Sequence, residues 1–266
     1  MELQGAHVLI TGASRGIGAA MASSFAAAGA RVSIAARSTA ALEEVARPID
    51  AAPFTVDLAD ADQTERLIAT VEAEAGPIDV LMNNAGIETT EHFHTVDSDA
   101  LRQVARVNLE APMVLTRQVL PQMLDRNRGH LGFTSSLAGT SGFPGLTPYG
   151  ATKAGLTNFV AGLRLELRDT DIHTTVITPG PVDTAMWDQL EQSAEIDPVI
   201  RRMRRLQLIP MKTPAYLAER TVEAVRSDAR HVRTPRRLST SFWLREAPAR
   251  ITELLMTGVD VGPKRG

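Results

Sequence analysis

The sequence contains no cysteine, and only two tyrosines and three lysines among its 266 residues. Without cysteine there can be no disulfide, no thiolate metal site and no cysteine nucleophile, although the redox compartment is left open. No segment offers the ~18 continuous apolar residues that a membrane-spanning helix needs. The strand-like run His7-Val8-Leu9-Ile10 follows no basic leader with a long apolar stretch, so a soluble, cytoplasmic protein is expected. Internal repeats, low-complexity tracts and Gly-, Ser- or Pro-rich linkers are also missing, so one domain over residues 1–266 is expected. No metal site is expected, nor is a nucleic-acid partner, and membrane contact is disfavoured.

What is present is the composition of an ordinary globule, 44% hydrophobic and 22% charged. The net charge of −3 hides an asymmetry. Residues 1–189 hold 13 basic against 22 acidic side chains, and residues 190–266 hold 15 against 9. A basic end can attract an anionic substrate or a membrane surface, yet Arg-Arg-Met-Arg-Arg at 201–205 also reads as one solvated helix turn.

Short β-branched runs alternate with alanine-rich stretches, the pattern of a parallel sheet covered by helices on both faces. Strands are predicted at Val8–Thr11, Val32–Ala35, Phe54–Val56, Val80–Met82, Leu131–Thr134 and Thr174–Thr178. Helices are predicted at Ile17–Ala28, Thr39–Ala46, Ala61–Ala75, Ser98–Arg126 and Tyr149–Arg168, several opened by Ser, Thr or Asp and closed near glycine. The order is that of an α/β, doubly wound, Rossmann-like fold. Beyond Pro179 the rhythm changes to a loop and helix pair at 183–212, expected to be a substrate lid. A helix at 215–228, a short strand around His231–Thr234 and a tail with Phe242-Trp243-Leu244 follow, expected to serve packing or docking.

Thr11-Gly12-Ala13-Ser14-Arg15-Gly16-Ile17-Gly18 joins the first strand to the first helix. Gly12 permits the tight turn, Gly16 lets backbone approach a pyrophosphate, Gly18 allows close helix packing, and the helix N-terminus points free N–H groups at the anion. Dinucleotide binding is the reading, through Gly12, Ser14, Arg15, Gly16, Ile17 and Gly18. The second strand ends at Ala35-Ala36-Arg37, with no acid for a ribose 2′-hydroxyl. Arg37, helped by Arg15, suits a 2′-phosphate, so NADP(H) is expected over NAD(H). A solvated strand-end arginine is the alternative for Arg37.

The lysines stand at 153, 212 and 264 against twenty-five arginines, so a lysine at 153 invites a reason for its ammonium. It follows Tyr149 by four residues in a helical run, which puts both side chains on one face. A phenol with an ordinary pKa of about 10 is too weak an acid for proton exchange near neutrality. A nearby ammonium is expected to lower it, and its spare donors could reach cofactor ribose hydroxyls.

With Asp57-Leu58, Asn83-Asn84-Ala85-Gly86, Asn108, Ser135-Ser136-Leu137-Ala138-Gly139, Tyr149-Gly150-Ala151-Thr152-Lys153 and Pro179-Gly180-Pro181-Val182-Asp183-Thr184, the chain resembles the short-chain dehydrogenase/reductase family over about residues 5–185. The resemblance implies Tyr149 as general acid/base, Lys153 as its modulator and a ribose ligand, and Ser136 as holder of the carbonyl oxygen. Ser136 is preferred to Ser135 because the family usually sets this serine thirteen positions before the tyrosine. Asn108 would support a water relaying protons to Lys153, or else satisfy backbone groups inside a helix. Asp57 and Leu58 would contact adenine, Asn84, Ala85 and Gly86 would line the cofactor cleft, and Pro179, Gly180, Val182 and Thr184 would meet the nicotinamide carboxamide.

The implied activity is hydride transfer between NADP(H) and a small-molecule ketone or secondary alcohol, of the alcohol dehydrogenase or carbonyl reductase type. The tail resembles relatives that handle bulky apolar substrates, and the family implies a homodimer or homotetramer. A non-catalytic NADP(H)-binding regulator is the alternative, disfavoured because a sensor has no need of Ser136, Tyr149 and Lys153 together.

Overall fold

A computed structural model describes residues 1–193, 196–205 and 210–234. Seven parallel strands form one sheet: β1 (His7–Thr11), β2 (Arg31–Ala36), β3 (Ala52–Thr55), β4 (Val80–Asn83), β5 (Gly129–Thr134), β6 (Ile172–Thr178) and β7 (His231–Arg233). Their spatial order is β3-β2-β1-β4-β5-β6-β7. The chain therefore winds outward from β1 in one direction and from β4 in the other, as in a doubly wound Rossmann-like sheet.

Alternation along each strand sorts side chains between two cores. Val8, Ile10, Val80, Met82 and Ile177 face one core, and Leu9, Leu81, Leu131, Phe133 and Val176 face the other. The first core is closed by α1 (Gly16–Ala27), α2 (Thr39–Ala46) and α9 (Pro214–Arg226), through residues such as Met21, Phe25, Leu42 and Leu217. The second is closed by α3 (Ala61–Ala75), α5 (Ala111–Asp125) and α6 (Thr147–Glu166), through Leu67, Leu115, Val119, Leu156 and Val160. α4 (Ser98–Ala105), α7 (Ala185–Gln192) and α8 (Asp197–Arg205) complete the described helices.

Most expected elements are present with ends shifted by up to two residues, and two of the differences have identifiable reasons. The third strand begins two residues early and includes Pro53, which an edge strand tolerates because one side of its backbone needs no partner. The helix expected over Ser98–Arg126 is present and unbroken from Ser98 to Asp125, with a π-helical turn at Arg106–Glu110 between its α4 and α5 segments. Apolar periodicity does not report an inserted residue of this kind, and such turns recur at functional sites. The pair expected over 183–212 is present as α7 and α8, while residues 194–195 and 206–209 of that segment, and the Phe242-Trp243-Leu244 tail, lie outside the described residues. Within the described residues no helix is long and apolar enough to cross a membrane.

Phe133 is fully buried and meets the Phe159 ring edge-on at 6.0 Å between centroids. Phe133→Ala should cost about 3–5 kcal/mol, from lost transfer energy and the cavity left behind. Urea unfolding would measure it, and a loss below about 1 kcal/mol would contradict this packing.

Candidate active site

Because every strand is parallel, all C-terminal ends lie along one edge of the sheet, and helices leave β1 and β4 toward opposite faces. A crevice opens between them. Its floor is knotted by Thr11 and Asn84. The Thr11 hydroxyl accepts from the backbone N–H groups of Asn84 (3.1 Å) and Ala85 (3.2 Å). The Asn84 amide donates to the carbonyls of Thr11 (3.1 Å) and Gly12 (3.3 Å), and its oxygen accepts from the Thr134 hydroxyl at 3.1 Å. Asn84 thus ties the ends of β1, β4 and β5 together.

The glycine turn is as crowded as its spacing suggests. Gly12 has φ +66°, and a Cβ there would stand 2.7 Å from Ala85 Cα. A Cβ on Gly18 would stand 2.3 Å from the Gly12 carbonyl oxygen. Gly16, at φ +58°, opens α1 with its N-terminus toward the crevice. The crevice holds a cavity of about 1120 Å³, more than the roughly 300–1,000 Å³ of a pocket for one drug-sized ligand.

Every residue expected to bind the cofactor lines this cavity: Gly12, Ser14, Arg15, Gly16, Ile17, Gly18, Arg37, Asp57, Leu58, Asn84, Ala85, Gly86, Tyr149, Lys153, Pro179, Gly180, Val182 and Thr184. So does Ser136. Arg15 and Arg37 are exposed at its mouth and form no ion pair among the described residues. The bare glycine cradle, the helix N-terminus and these two guanidinium groups fit a phosphorylated dinucleotide.

Several of these residues also carry structural duties. Asp57 accepts from Ala59 N at 2.9 Å, as a turn residue does. Thr184 caps α7 by accepting from Trp187 N and donates to the Val182 carbonyl. The loop from Pro179 is clamped to the chain before α9, with Asp183 N donating to Lys212 O (2.9 Å) and Lys212 N to Pro181 O (3.1 Å). Nothing in the local sequence announces that clamp.

Asn108 is the exception, fully buried and outside the cavity wall. It sits on the π-turn, where its oxygen accepts from Ile87 N (2.9 Å) and its amide donates to Ile87 O (2.8 Å) and the Thr152 hydroxyl (3.2 Å). The backbone-satisfying alternative from the sequence describes these contacts. Ser135 and Ser136 have different surroundings. Ser135 is buried and donates to Lys153 O at 3.0 Å, whereas Ser136 lines the cavity and its hydroxyl accepts from Ala138 N at 3.1 Å.

Tyr149 and Lys153 lie one turn apart on α6, with the ammonium 5.7 Å from the phenol ring centre. Lys153 Nζ donates to the Thr134 carbonyl at 2.8 Å. A Cβ on Gly86 would stand 3.1 Å from that ammonium, so the glycine makes room for it. The expected lowering of the Tyr149 pKa is not met in the chain by itself. Burial pushes the phenol up to about 12, against the neighbouring Ser136 hydroxyl, which lowers it, and with the Glu88 charge, which raises it further. Burial also pulls Lys153 down to about 8, opposed by Glu88. Desolvation of both groups outweighs their closeness. Glu88, absent from the sequence-derived site, is a partly buried carboxylate in the same wall.

The family model for short chain dehydrogenases matches residues 6–195. The chain belongs to the short-chain dehydrogenase/reductase family. A short chain dehydrogenase of Pseudocercospora fijiensis is 34% identical over 220 residues, covering 79% of this chain and 71% of that protein. The ketoacyl reductase HetN of Nostoc is 34% identical over 86% of this chain and 78% of its own. Among solved structures, a metagenomic short-chain oxidoreductase in complex with NADP is 30% identical with a TM-score of 0.70, covering 87% of this chain and 96% of that one. A short chain dehydrogenase/reductase of Burkholderia phymatum in complex with NAD, 21% identical, shares the fold with a TM-score of 0.81 over 95% of this chain and 96% of that one. This short-chain dehydrogenase/reductase is therefore an oxidoreductase on a fold whose solved examples hold NADP in one case and NAD in another.

The depressed Lys153 pKa gives the family member a testable pH dependence. Above the unfolded pKa of about 10.5 Lys153 is a neutral amine in both states and burial carries no charge penalty; as pH falls from there through about 8 the folded chain loses stability. Lys153→Met should accordingly stabilise the cofactor-free chain at pH 7 by up to about 3 kcal/mol, offset in part by the unpaired Thr134 carbonyl. Thermal unfolding across pH 7–10.5 would show the wild type gaining stability relative to the variant, and parallel curves would contradict the burial of a charged Lys153.

Proposed function

We propose that the chain is an NADP(H)-dependent oxidoreductase that interconverts a ketone and a secondary alcohol, with an apolar body on the substrate. The observation that carries the reading is that Ser136 and Tyr149 share the cavity wall, with the Lys153 ammonium one helical turn on and 5.7 Å from the phenol ring centre. With the dinucleotide's phosphates held in the glycine cradle, its nicotinamide would supply or accept the hydride.

The rest falls to the protein. Ser136 donates to the carbonyl oxygen and stabilises its developing negative charge. Tyr149 gives that oxygen its proton in reduction and removes it in oxidation. Since burial holds the phenol near 12, the proton is given up as the oxygen becomes strongly basic. Lys153 has one donor engaged by Thr134 O, leaving two for ribose hydroxyls. Asn108 is a positioning residue that fixes Ile87, and the second lone pair of its oxygen is available to a water on the way to Lys153.

An apolar substrate body is supported by a cluster of Leu146, Ile196 and Ile200, with Phe143, Trp187, Leu190 and the Tyr149 ring packed against it. Trp187, Leu190, Ile196 and Ile200 belong to the segment at 183–212 and line the cavity, which supports its reading as a lid over one domain spanning 1–266. Arg37 at the cavity mouth supports NADP(H), because no acid stands there for a 2′-hydroxyl. Exposed Leu101 and Met113 on α4 and α5 support self-association as a homodimer or homotetramer. The reading carries with it the cytoplasmic location and the small-molecule carbonyl or alcohol partner.

Fluorescence titration with NADPH and NADH tests the cofactor. NADPH should bind the wild type more tightly, and Arg37→Ala and Arg37→Asp should each weaken it about tenfold or more, with Asp improving NADH. NADH binding equal to or tighter than NADPH in the wild type would overturn the assignment. Tyr149→Phe should lose roughly 10²–10⁴ in ketone turnover while keeping its NADPH affinity.

A further inference from the structure

Glu88 lines the cavity, on a segment of chain that runs from Lys153 toward the apolar wall. Immediately before it, Ile87 is pinned through both its N–H and its carbonyl by Asn108. One residue earlier Gly86 runs beneath Lys153. Two residues later the Thr90 carbonyl accepts from Ser193 Oγ at 2.9 Å, and a Cβ on Gly145 would lie 3.4 Å from that carbonyl and 2.8 Å from Ile196. The segment 86–90 thus leads from the Lys153 ammonium to the wall formed by Leu146 and Ile196, with the Glu88 side chain on the cavity.

This carboxylate is partly buried and has no ion-pair partner within 4 Å among the described residues. Arg15 and Lys153 act on it only through space, and desolvation outweighs them, so its pKa is raised. Tyr149 and Lys153 both feel its charge in turn. Removing a carboxylate from water without a partner is costly, and a cleft is where such a cost is met by a ligand.

We propose that Glu88 selects substrates that present a hydroxyl or ammonium group beside the reacting carbonyl and rejects those that present an anion there. The proposal rests on the ketone–alcohol reading above. An ionised carboxylate only accepts hydrogen bonds, so a donor on the substrate completes its shell. A substrate carboxylate at the same place meets a like charge in a desolvated wall, which is discrimination by repulsion.

Three probes of one skeleton separate the possibilities: acetophenone, 2-hydroxyacetophenone and phenylglyoxylate, compared as kcat/KM in the wild type, Glu88→Gln and Glu88→Leu. The wild type should prefer the hydroxyketone to acetophenone by about tenfold or more, as expected of a hydrogen bond to a charged group. Glu88→Leu should abolish that preference. Glu88→Gln should keep part of it and raise phenylglyoxylate about tenfold relative to acetophenone. Ratios in both variants within about twofold of the wild type would overturn the proposal. Tryptophan fluorescence, with Trp187 in the cavity wall, gives binding ratios for the same probes without turnover. If no ketone is reduced, the ketone–alcohol reading fails, and the binding ratios still decide Glu88 by the same margins.

Discussion

The structure depends on how closely β1 and β4 can be brought together where their helices depart in opposite directions. Gly12, Gly18 and Ala85 leave no room for another methyl group at that junction, and Thr11 and Asn84 spend their polar atoms fastening it. The crevice is the space left over when two helices diverge from a floor held this tightly. A Cβ at Gly18 would displace backbone rather than a flexible side chain, so the turn, the helix N-terminus and the cavity mouth would move together.

A second constraint acts at the other end of the cleft, where a phenol, an ammonium and a carboxylate share a poorly solvated wall. Tyr149 is pushed toward its neutral form by burial and by Glu88, and Lys153 is pushed toward its neutral form by burial and back by Glu88. The three groups therefore form one electrostatic unit, in which Ser136 opposes the rise at the phenol and Thr134 O anchors the ammonium. The π-turn serves the same unit from behind. It presents Asn108 to Ile87, which holds in register the strand of chain carrying both Gly86 and Glu88.

Much of this was legible in the residues. Strand alternation and the glycine spacing announced the parallel sheet and its cradle, and the rarity of lysine drew attention to Lys153. What escaped had no local signature. Pro53 inside an edge strand, the π-turn at Arg106–Glu110 and the clamp between Pro181 and Lys212 each depend on a distant partner. Glu88 escaped for a related reason: its sequence neighbours say nothing about which side chains surround it once α1 and α6 have packed.

The sequence by itself determined the winding of the sheet, the place of the glycine turn and the pairing of Tyr149 with Lys153 on one helix face, because these follow from period, spacing and backbone freedom over a few residues. Tertiary structure alone decided that Asn108 lies behind the cavity wall, that burial outweighs the ammonium in setting the Tyr149 pKa, and that a carboxylate joins the reacting groups. Desolvation and through-space charge depend on what surrounds a group in three dimensions, which no stretch of the chain can state on its own.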